Sequence, residues 1–359
     1  MTFAACLTFA GCGASEAGAD VMSEKSTESS LEETGKAAES VAESSVESIA
    51  VDASSEAAEQ MPDLTGTTLR VGAMKGPTSM GLLYLMNDET VNESGINYEF
   101  QMATSADELL PLVLKGEIDI ALVPANVASV LYAKSEGAIS VIDVNTLGVL
   151  YMVSGSECAS VADLKGKTIY LTGKGTTPDY VLQYVLAQNG FAEGDCVLEY
   201  KSEATEVAAV LAENPDAIGL LPQPFVTAAC AQNEALKVVL DMNEEWNKVQ
   251  GNGMVTGVTV VRNAVLEENE AAVQAFIKEH EASAKAINED SVTGATYAVA
   301  AGIVAKEPIA QKAIPNCNIT CITGEEMKIA ISGYLTVLFE QNPESVGGAL
   351  PADTFYYVP

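Results

Sequence analysis

Leu69-Arg-Val-Gly-Ala-Met-Lys-Gly-Pro-Thr-Ser79 is answered ninety-eight positions further on by Lys167-Thr-Ile-Tyr-Leu-Thr-Gly-Lys-Gly-Thr-Thr177. In both, a short apolar run ends in a Gly/Lys loop and passes into hydroxyl residues, the pattern of a strand, a loop and a helix start. The repeat continues. Ala106-Asp-Glu-Leu-Leu-Pro-Leu-Val-Leu and Ile120-Ala-Leu-Val-Pro-Ala-Asn-Val are matched by Ala204-Thr-Glu-Val-Ala-Ala-Val-Leu-Ala and Ile218-Gly-Leu-Leu-Pro-Gln-Pro-Phe. The offset is constant: 222 − 124 for the prolines, 206 − 108 for the glutamates and 176 − 78 for the threonines all give 98. Two similar α/β lobes are therefore expected, with their strand-to-helix loops lining a shared cleft suited to a small ligand.

Strands alternate with helices on either side of the offset, which implies mostly parallel sheets covered on both faces. Strands are predicted at 68–73, 97–102 and 118–123, with helices at 79–86, 105–114 and 125–133. Ser105 stands at an N-cap with Glu108 three residues on, the capping-box spacing. The runs Gly148–Val153 and Val255–Val261 are read as the two segments that cross between lobes, so a hinge is expected. Helices at 271–288, 306–313 and 325–341 are expected to complete the first lobe.

The two Gly/Lys loops hold the first candidate site residues. Lys75, Thr78 and Ser79 on one side, and Lys174, Thr176 and Thr177 on the other, place hydroxyls, free backbone N–H groups and a cation at a helix start, where polar or anionic ligand edges bind. The alternative for the hydroxyls is plain helix capping. Asn126 and Gln223 follow matching strands, and each carboxamide can both donate and accept. Capping of their own helices is the competing role. Tyr180, with Tyr151, Phe225 and Trp246 as further candidates, is read as an aromatic that can stack on a ligand ring, and a core or rim role is the competing reading for each. Gly166-Lys167-Thr168 is a turn and not a P-loop, because Val161 stands where the motif requires glycine. His280 lies in the charged stretch Phe276-Ile-Lys-Glu-His-Glu and is read as a solvated surface residue. No catalytic constellation is apparent. Cys317 and Cys321 lack a second ligand pair for zinc, so separate thiols or a single disulfide are expected and no metal or cofactor.

A formal net charge of −32, with Arg70 and Arg262 the only arginines, argues against a grip on nucleic acid or anionic lipid. Residues 1–12 are apolar and end in Phe9-Ala-Gly-Cys12, similar to the lipobox of bacterial lipoproteins, with Cys12 as the lipidated residue. Phe9 stands where leucine is usual and no basic residue precedes the run, so the signal reads as one open to truncation. Residues 13–65, rich in Ser, Glu and Ala, have the composition of an acidic disordered tether.

The segments Leu69-Arg-Val-Gly-Ala-Met-Lys-Gly-Pro-Thr, Gly116-Glu-Ile-Asp-Ile-Ala-Leu-Val-Pro-Ala-Asn-Val-Ala, Asp163-Leu-Lys-Gly-Lys-Thr-Ile and Val260-Val-Arg-Asn-Ala-Val-Leu-Glu-Glu-Asn-Glu-Ala-Ala-Val resemble substrate-binding lipoproteins of ABC importers, in the nitrate/sulfonate/taurine and thiamine-pyrimidine group. The resemblance runs from about residue 66 to 345. It implies an α/β type II periplasmic-binding-protein fold, with lobe I from 66–150 and 257–359 and lobe II from 151–256. It also implies a monomeric, non-enzymatic, extracytoplasmic receptor, held to the membrane only by its lipid anchor. Such a receptor delivers a sulfonate, a pyrimidine or another small heterocycle or aromatic to ABC permease subunits. Two other readings stay open: an enzyme of menaquinone or thiamine-pyrimidine metabolism on the same fold, and a ligand-responsive surface sensor.

Overall fold

The computed structural model describes residues 63–251 and 253–359. The leader, Cys12 and nearly all of the tether lie outside them. In chain order the elements are β1 (Thr68–Met74), α1 (Leu83–Asn87), β2 (Asn97–Ala103), α2 (Ala106–Lys115), β3 (Ile120–Pro124), α3 (Ala125–Lys134), β4 (Ile139–Thr146) and β5 (Leu150–Ser154). Then come β6 (Thr168–Thr172), α4 (Thr177–Gln188), β7 (Val197–Lys201), α5 (Ala204–Glu213), β8 (Ile218–Pro222), α6 (Phe225–Gln232), β9 (Lys237–Asp241) and α7 (Met242–Gln250). The chain closes with β10 (Gly257–Arg262), α8 (Asn263–Glu268), α9 (Glu270–Glu289), α10 (Ser291–Ala300), α11 (Glu307–Ala313), β11 (Ile319–Ile322) and α12 (Gly324–Gln341).

These strands form two sheets, in the orders β2-β1-β3-β10-β4-β11 and β7-β6-β8-β5-β9. The repeat read in the sequence is a repeat of topology and of register. β1 pairs with β2 from Thr68↔Asn97, and β6 with β7 from Thr168↔Val197, each pairing joining residues 29 apart. Val71↔Ile120 and Ile169↔Ile218 join residues 49 apart in the corresponding β1–β3 and β6–β8 pairs. Each sheet also takes one antiparallel strand from the chain as it arrives from the other lobe. β5 follows the crossing out of β4 and lies between β8 and β9, while β10 follows α7 and lies between β3 and β4. Each lobe thus holds a strand delivered by the other, the arrangement of a type II periplasmic-binding-protein fold.

Burial follows from the two-sided covering. On β3, Ile120 and Leu122 pack with Phe276 and Val273 of α9, whereas Ala121 and Val123 pack with Leu109 of α2 and Leu131 of α3. Alternate residues of a strand point to opposite faces, so a strand covered on both sides is apolar throughout. The helix starts repeat as well. The Glu108 carboxylate accepts from Thr104 N at 3.1 Å, and the Glu206 carboxylate accepts from Ser202 N at 2.7 Å. Each glutamate therefore caps one residue ahead of the position that a capping box assigns, and the Ser105 hydroxyl makes no cap bond.

His280 departs from its sequence reading. It is fully buried, and its Nδ1 meets Asp143 Oδ2 at 3.0 Å. The reason is helical spacing: Val273, Phe276, His280, Ala284 and Ile287 form one stripe of α9 that faces the sheet. The adjacent Lys278 and Glu281 turn to other sides of the helix. Glu279 is buried too, accepting from Ser94 N at 2.7 Å and from the Tyr98 hydroxyl. The described cysteines, Cys158, Cys196, Cys230, Cys317 and Cys321, are all free thiols. No described helix is long and apolar enough to cross a membrane.

Candidate functional site

β1, β3, β6 and β8 all end toward the space between the lobes, and the candidate residues stand just past those ends. After β1 the chain enters a 3₁₀ turn, Pro77–Leu82, and not the single helix expected from 79. The Ser79 hydroxyl donates back to the Gly76 carbonyl at 3.1 Å, and the Thr176 hydroxyl donates to the Gly173 carbonyl at 2.6 Å. Both close the same three-residue turn, and neither caps a helix N–H. The equivalence within these loops is therefore Ser79 with Thr176, one residue off the offset that holds in the strands. Ser79 is fully buried, so it shapes the loop from behind; Thr176 is exposed.

Thr78 is buried at the cleft floor, against Gly257 and Asn145. Lys75 is exposed and lies beside Gly302, on the lobe I rim. On the opposite lobe Lys174 lies over the Tyr200 ring, 5.3 Å from its centroid. Asn126 and Thr177 are brought together from opposite lobes: the Thr177 hydroxyl lies 3.5 Å from Asn126 Oδ1, a long hydrogen bond. Gln223 is almost fully buried, and its Oε1 accepts from the Thr227 hydroxyl at 2.9 Å and the Thr227 N–H at 3.4 Å. Its oxygen caps α6, which leaves the amide N–H₂ as the group it can offer a ligand. Tyr180 does not offer its ring: it is buried in the main core, and its hydroxyl accepts from Asn342 at 2.7 Å. Trp246 is likewise core, packed between Tyr184 and Tyr334.

Three features of the site were not read from the sequence. Asp179, buried at the third position of α4, accepts from Gly175 N at 2.7 Å, from Gln183 at 2.6 Å and from the Tyr200 hydroxyl at 2.7 Å, and so fixes the lobe II loop. Its signal was present, since Thr176-Thr-Pro-Asp179 has capping-box spacing. Second, a buried polar chain runs under the cleft floor. Thr146 donates to Asn145 Oδ1, Asn145 to Thr259, and Thr259 to Asp143, which also meets His280. Asp143, His280 and Cys321 carry metal-type donor atoms within 4.8 Å of one another. The hydrogen bonds to Asp143 already engage both its oxygens, so the arrangement is a polar tie between β4, β10 and α9. Third, a recess of about 440 Å³ opens where lobe II meets α11 and the turn after it, with Tyr151, Gln223, Thr227, Asp241, Lys312 and Asn316 among its walls.

Arg70 and Arg262 are remote from this cleft. Both guanidinium groups bind Asp119 Oδ1 at 2.6 Å, at the opposite end of the first sheet.

Paired α/β lobes that exchange a strand and face each other through polar loops define a two-lobe ligand-binding architecture. The chain belongs to the family whose model is described as "Menaquinone biosynthesis", which matches residues 69–311. Among solved structures it is similar to an ABC transporter protein from Parabacteroides distasonis, at 24% identity and a TM-score of 0.68, over 81% of this chain and 99% of that one. The periplasmic aliphatic sulphonate binding protein SsuA from Escherichia coli is 17% identical, with a TM-score of 0.64, over 82% of this chain and 93% of its own. The periplasmic nitrate-binding protein NrtA from Synechocystis is 14% identical, with a TM-score of 0.55, over 80% of this chain and 83% of its own. No curated protein matches the chain in sequence.

Proposed function

We propose that this protein is an extracytoplasmic solute receptor that captures a small organic ligand between its lobes and passes it to an ABC import permease, without chemistry of its own. The observation that carries this reading is the meeting of Asn126 and Thr177, one from each lobe, just past the ends of β3 and β6. The binding proteins of ABC importers among its structural neighbours support it. Thr78, Thr176, Thr177, Asn126 and the Gln223 amide are the ligand contacts, with Lys75 and Lys174 at the rim. The protein acts as a monomer, and lipid on Cys12 holds it at the membrane. The ligand is not held by arginine, since both arginines are committed to Asp119.

The family description favours a second reading, an enzyme of menaquinone metabolism. Against it stands His280: the one histidine in the chain is fully buried behind the cleft and tied to Asp143. Mass spectrometry of small molecules released from the purified protein separates the two. A stoichiometric ligand recovered unchanged supports the receptor, and conversion of a bound compound refutes it. Saturating that ligand is also expected to reduce the radius of gyration in small-angle scattering, because contacts made only in the closed form shift the population toward it. An unchanged profile with proven binding would rule out lobe closure. Fatty-acid labelling that marks the wild type and not Cys12→Ala is the expected result for the anchor, and equal labelling refutes it.

A further inference from the structure

The recess between α6, β9 and α11 differs in kind from the uncharged cleft floor. Of the residues that line it only two are charged, and they are of opposite sign: Asp241 at the end of β9, and Lys312 on α11. Neither has an ion-pair partner among the described residues. Asp241 uses Oδ1 to accept from Asn243 N at 2.8 Å and Glu244 N at 3.4 Å, which caps α7 and leaves Oδ2 free. Burial, with the nearby charges of Glu244 and Glu245, pushes its carboxyl above the usual range in spite of those N–H bonds. A half-buried carboxylate in that state gains from a cation brought beside it. Lys312 supplies the complementary charge from the other lobe, and the Gln223 and Thr227 side chains line the same recess. Tyr151 bridges the lobes at this edge, donating to the Asn316 carbonyl at 2.8 Å. The volume, about 440 Å³, is within the range of small-molecule sites.

We infer that this recess is a zwitterion subsite, in which Asp241 receives a ligand's primary ammonium and Lys312 its carboxylate. This deepens the receptor reading, on which it rests, by naming the ligand class as amino-acid-like. It also supplies a reason for the lobes to close. A ligand gripped by Asp241 alone leaves its carboxylate unpaired, and the pairing is completed only when α11 of lobe I lies over lobe II.

The test is calorimetry and thermal shift with β-alanine, 4-aminobutyrate and L-glutamine, set against propionate, butyrate, propylamine and butylamine. The protein is the full chain, freed of retained ligand by mild unfolding and refolding. At least one zwitterion is expected to bind and its single-charge analogues to bind at least tenfold more weakly. Asp241→Asn and Lys312→Met are each expected to weaken the zwitterion about tenfold. Asp241→Asn narrows the gap between the zwitterion and its deaminated acid, and Lys312→Met narrows the gap to its amine. Unchanged melting temperatures of the ligand-free variants exclude a folding effect. Acids or amines that bind as tightly as the parent, or variants that bind it unchanged, overturn the assignment. A retained ligand without the ammonium–carboxylate pair overturns it too, while leaving the receptor reading intact. If no compound binds and no ligand is ever retained, the receptor reading itself falls.

Discussion

Asp119→Ala is expected to lower the melting temperature of the ligand-free protein by roughly 5–10 °C, corresponding to about 3 kcal/mol. Asp119 is nearly buried and is the shared acceptor of the only two arginines in the chain. Oδ2 takes the Arg70 Nε–H at 2.8 Å and the Arg70 backbone N–H at 3.0 Å, while Oδ1 takes one N–H from each guanidinium. One carboxylate thereby ties β1 and β10 to the start of β3. Removing it leaves two guanidinium groups side by side and an unpaired backbone N–H. Arg70 is more than a third exposed, so solvent screening holds the loss to the lower end of what breaking a fully buried ion pair costs.

The same group makes stability depend on acid. Burial raises the Asp119 carboxyl, but the bonds from the Arg70 side chain and backbone and from Arg262 outweigh it and hold it below the usual carboxylate range. A depressed folded-state value means that its contribution is complete above the unfolded-state range and is lost as pH falls through the folded-state value. Asp119→Asn should therefore melt well below wild type at neutral pH and approach it in strong acid. Parallel melting curves across that range would show that Asp119 is not the source.

Both arginines were visible in the sequence, but their meeting was not. Arg70 and Arg262 are separated by most of the fold, and only the return of β10 beside β3 brings them to one carboxylate. The α/β class and the paired lobes were legible because a constant offset survives in strands whose partners lie nearby, as in the shared β1–β2 and β6–β7 registers. β4 was not anticipated, although Ile139 and Lys237, the residues that open β4 and β9, keep the same offset. His280 was misread because the charges beside it in sequence lie on other faces of α9. Of the two roles read for Tyr180 the structure has the core one, since an aromatic one turn into α4 points back to the core and finds Asn342 there. The loops could be located from glycine and hydroxyl residues. Which hydroxyl faces the ligand could not, because that depends on turns such as those closed by Ser79 and Thr176.

Gly257→Ala is expected to disturb both stability and binding, and it tests whether the cleft floor is packed as described. Gly257 opens β10, opposite Pro124 on one side and Thr146 on the other. A Cβ at this position would overlap Asn145 Oδ1 and lie 2.6 Å from Thr78 Cγ2. Asn145 cannot swing aside without cost, since its amide donates to Thr259 and its oxygen accepts from Thr146. The strain therefore passes to Thr78 and to the Pro77–Leu82 turn. Such overpacking costs about 1–3 kcal/mol. Because the displaced residue is a proposed ligand contact, affinity for the retained ligand should fall roughly tenfold, the equivalent of about 1.4 kcal/mol. Thr78→Ser removes the offending methyl and keeps the hydroxyl. In a double-mutant cycle it should recover part of the loss, and the remainder belongs to Asn145. Strictly additive effects of the two substitutions would mean that Thr78 and residue 257 do not share the cleft floor. A Gly257→Ala protein that melts and binds as wild type would place the ligand away from this turn altogether.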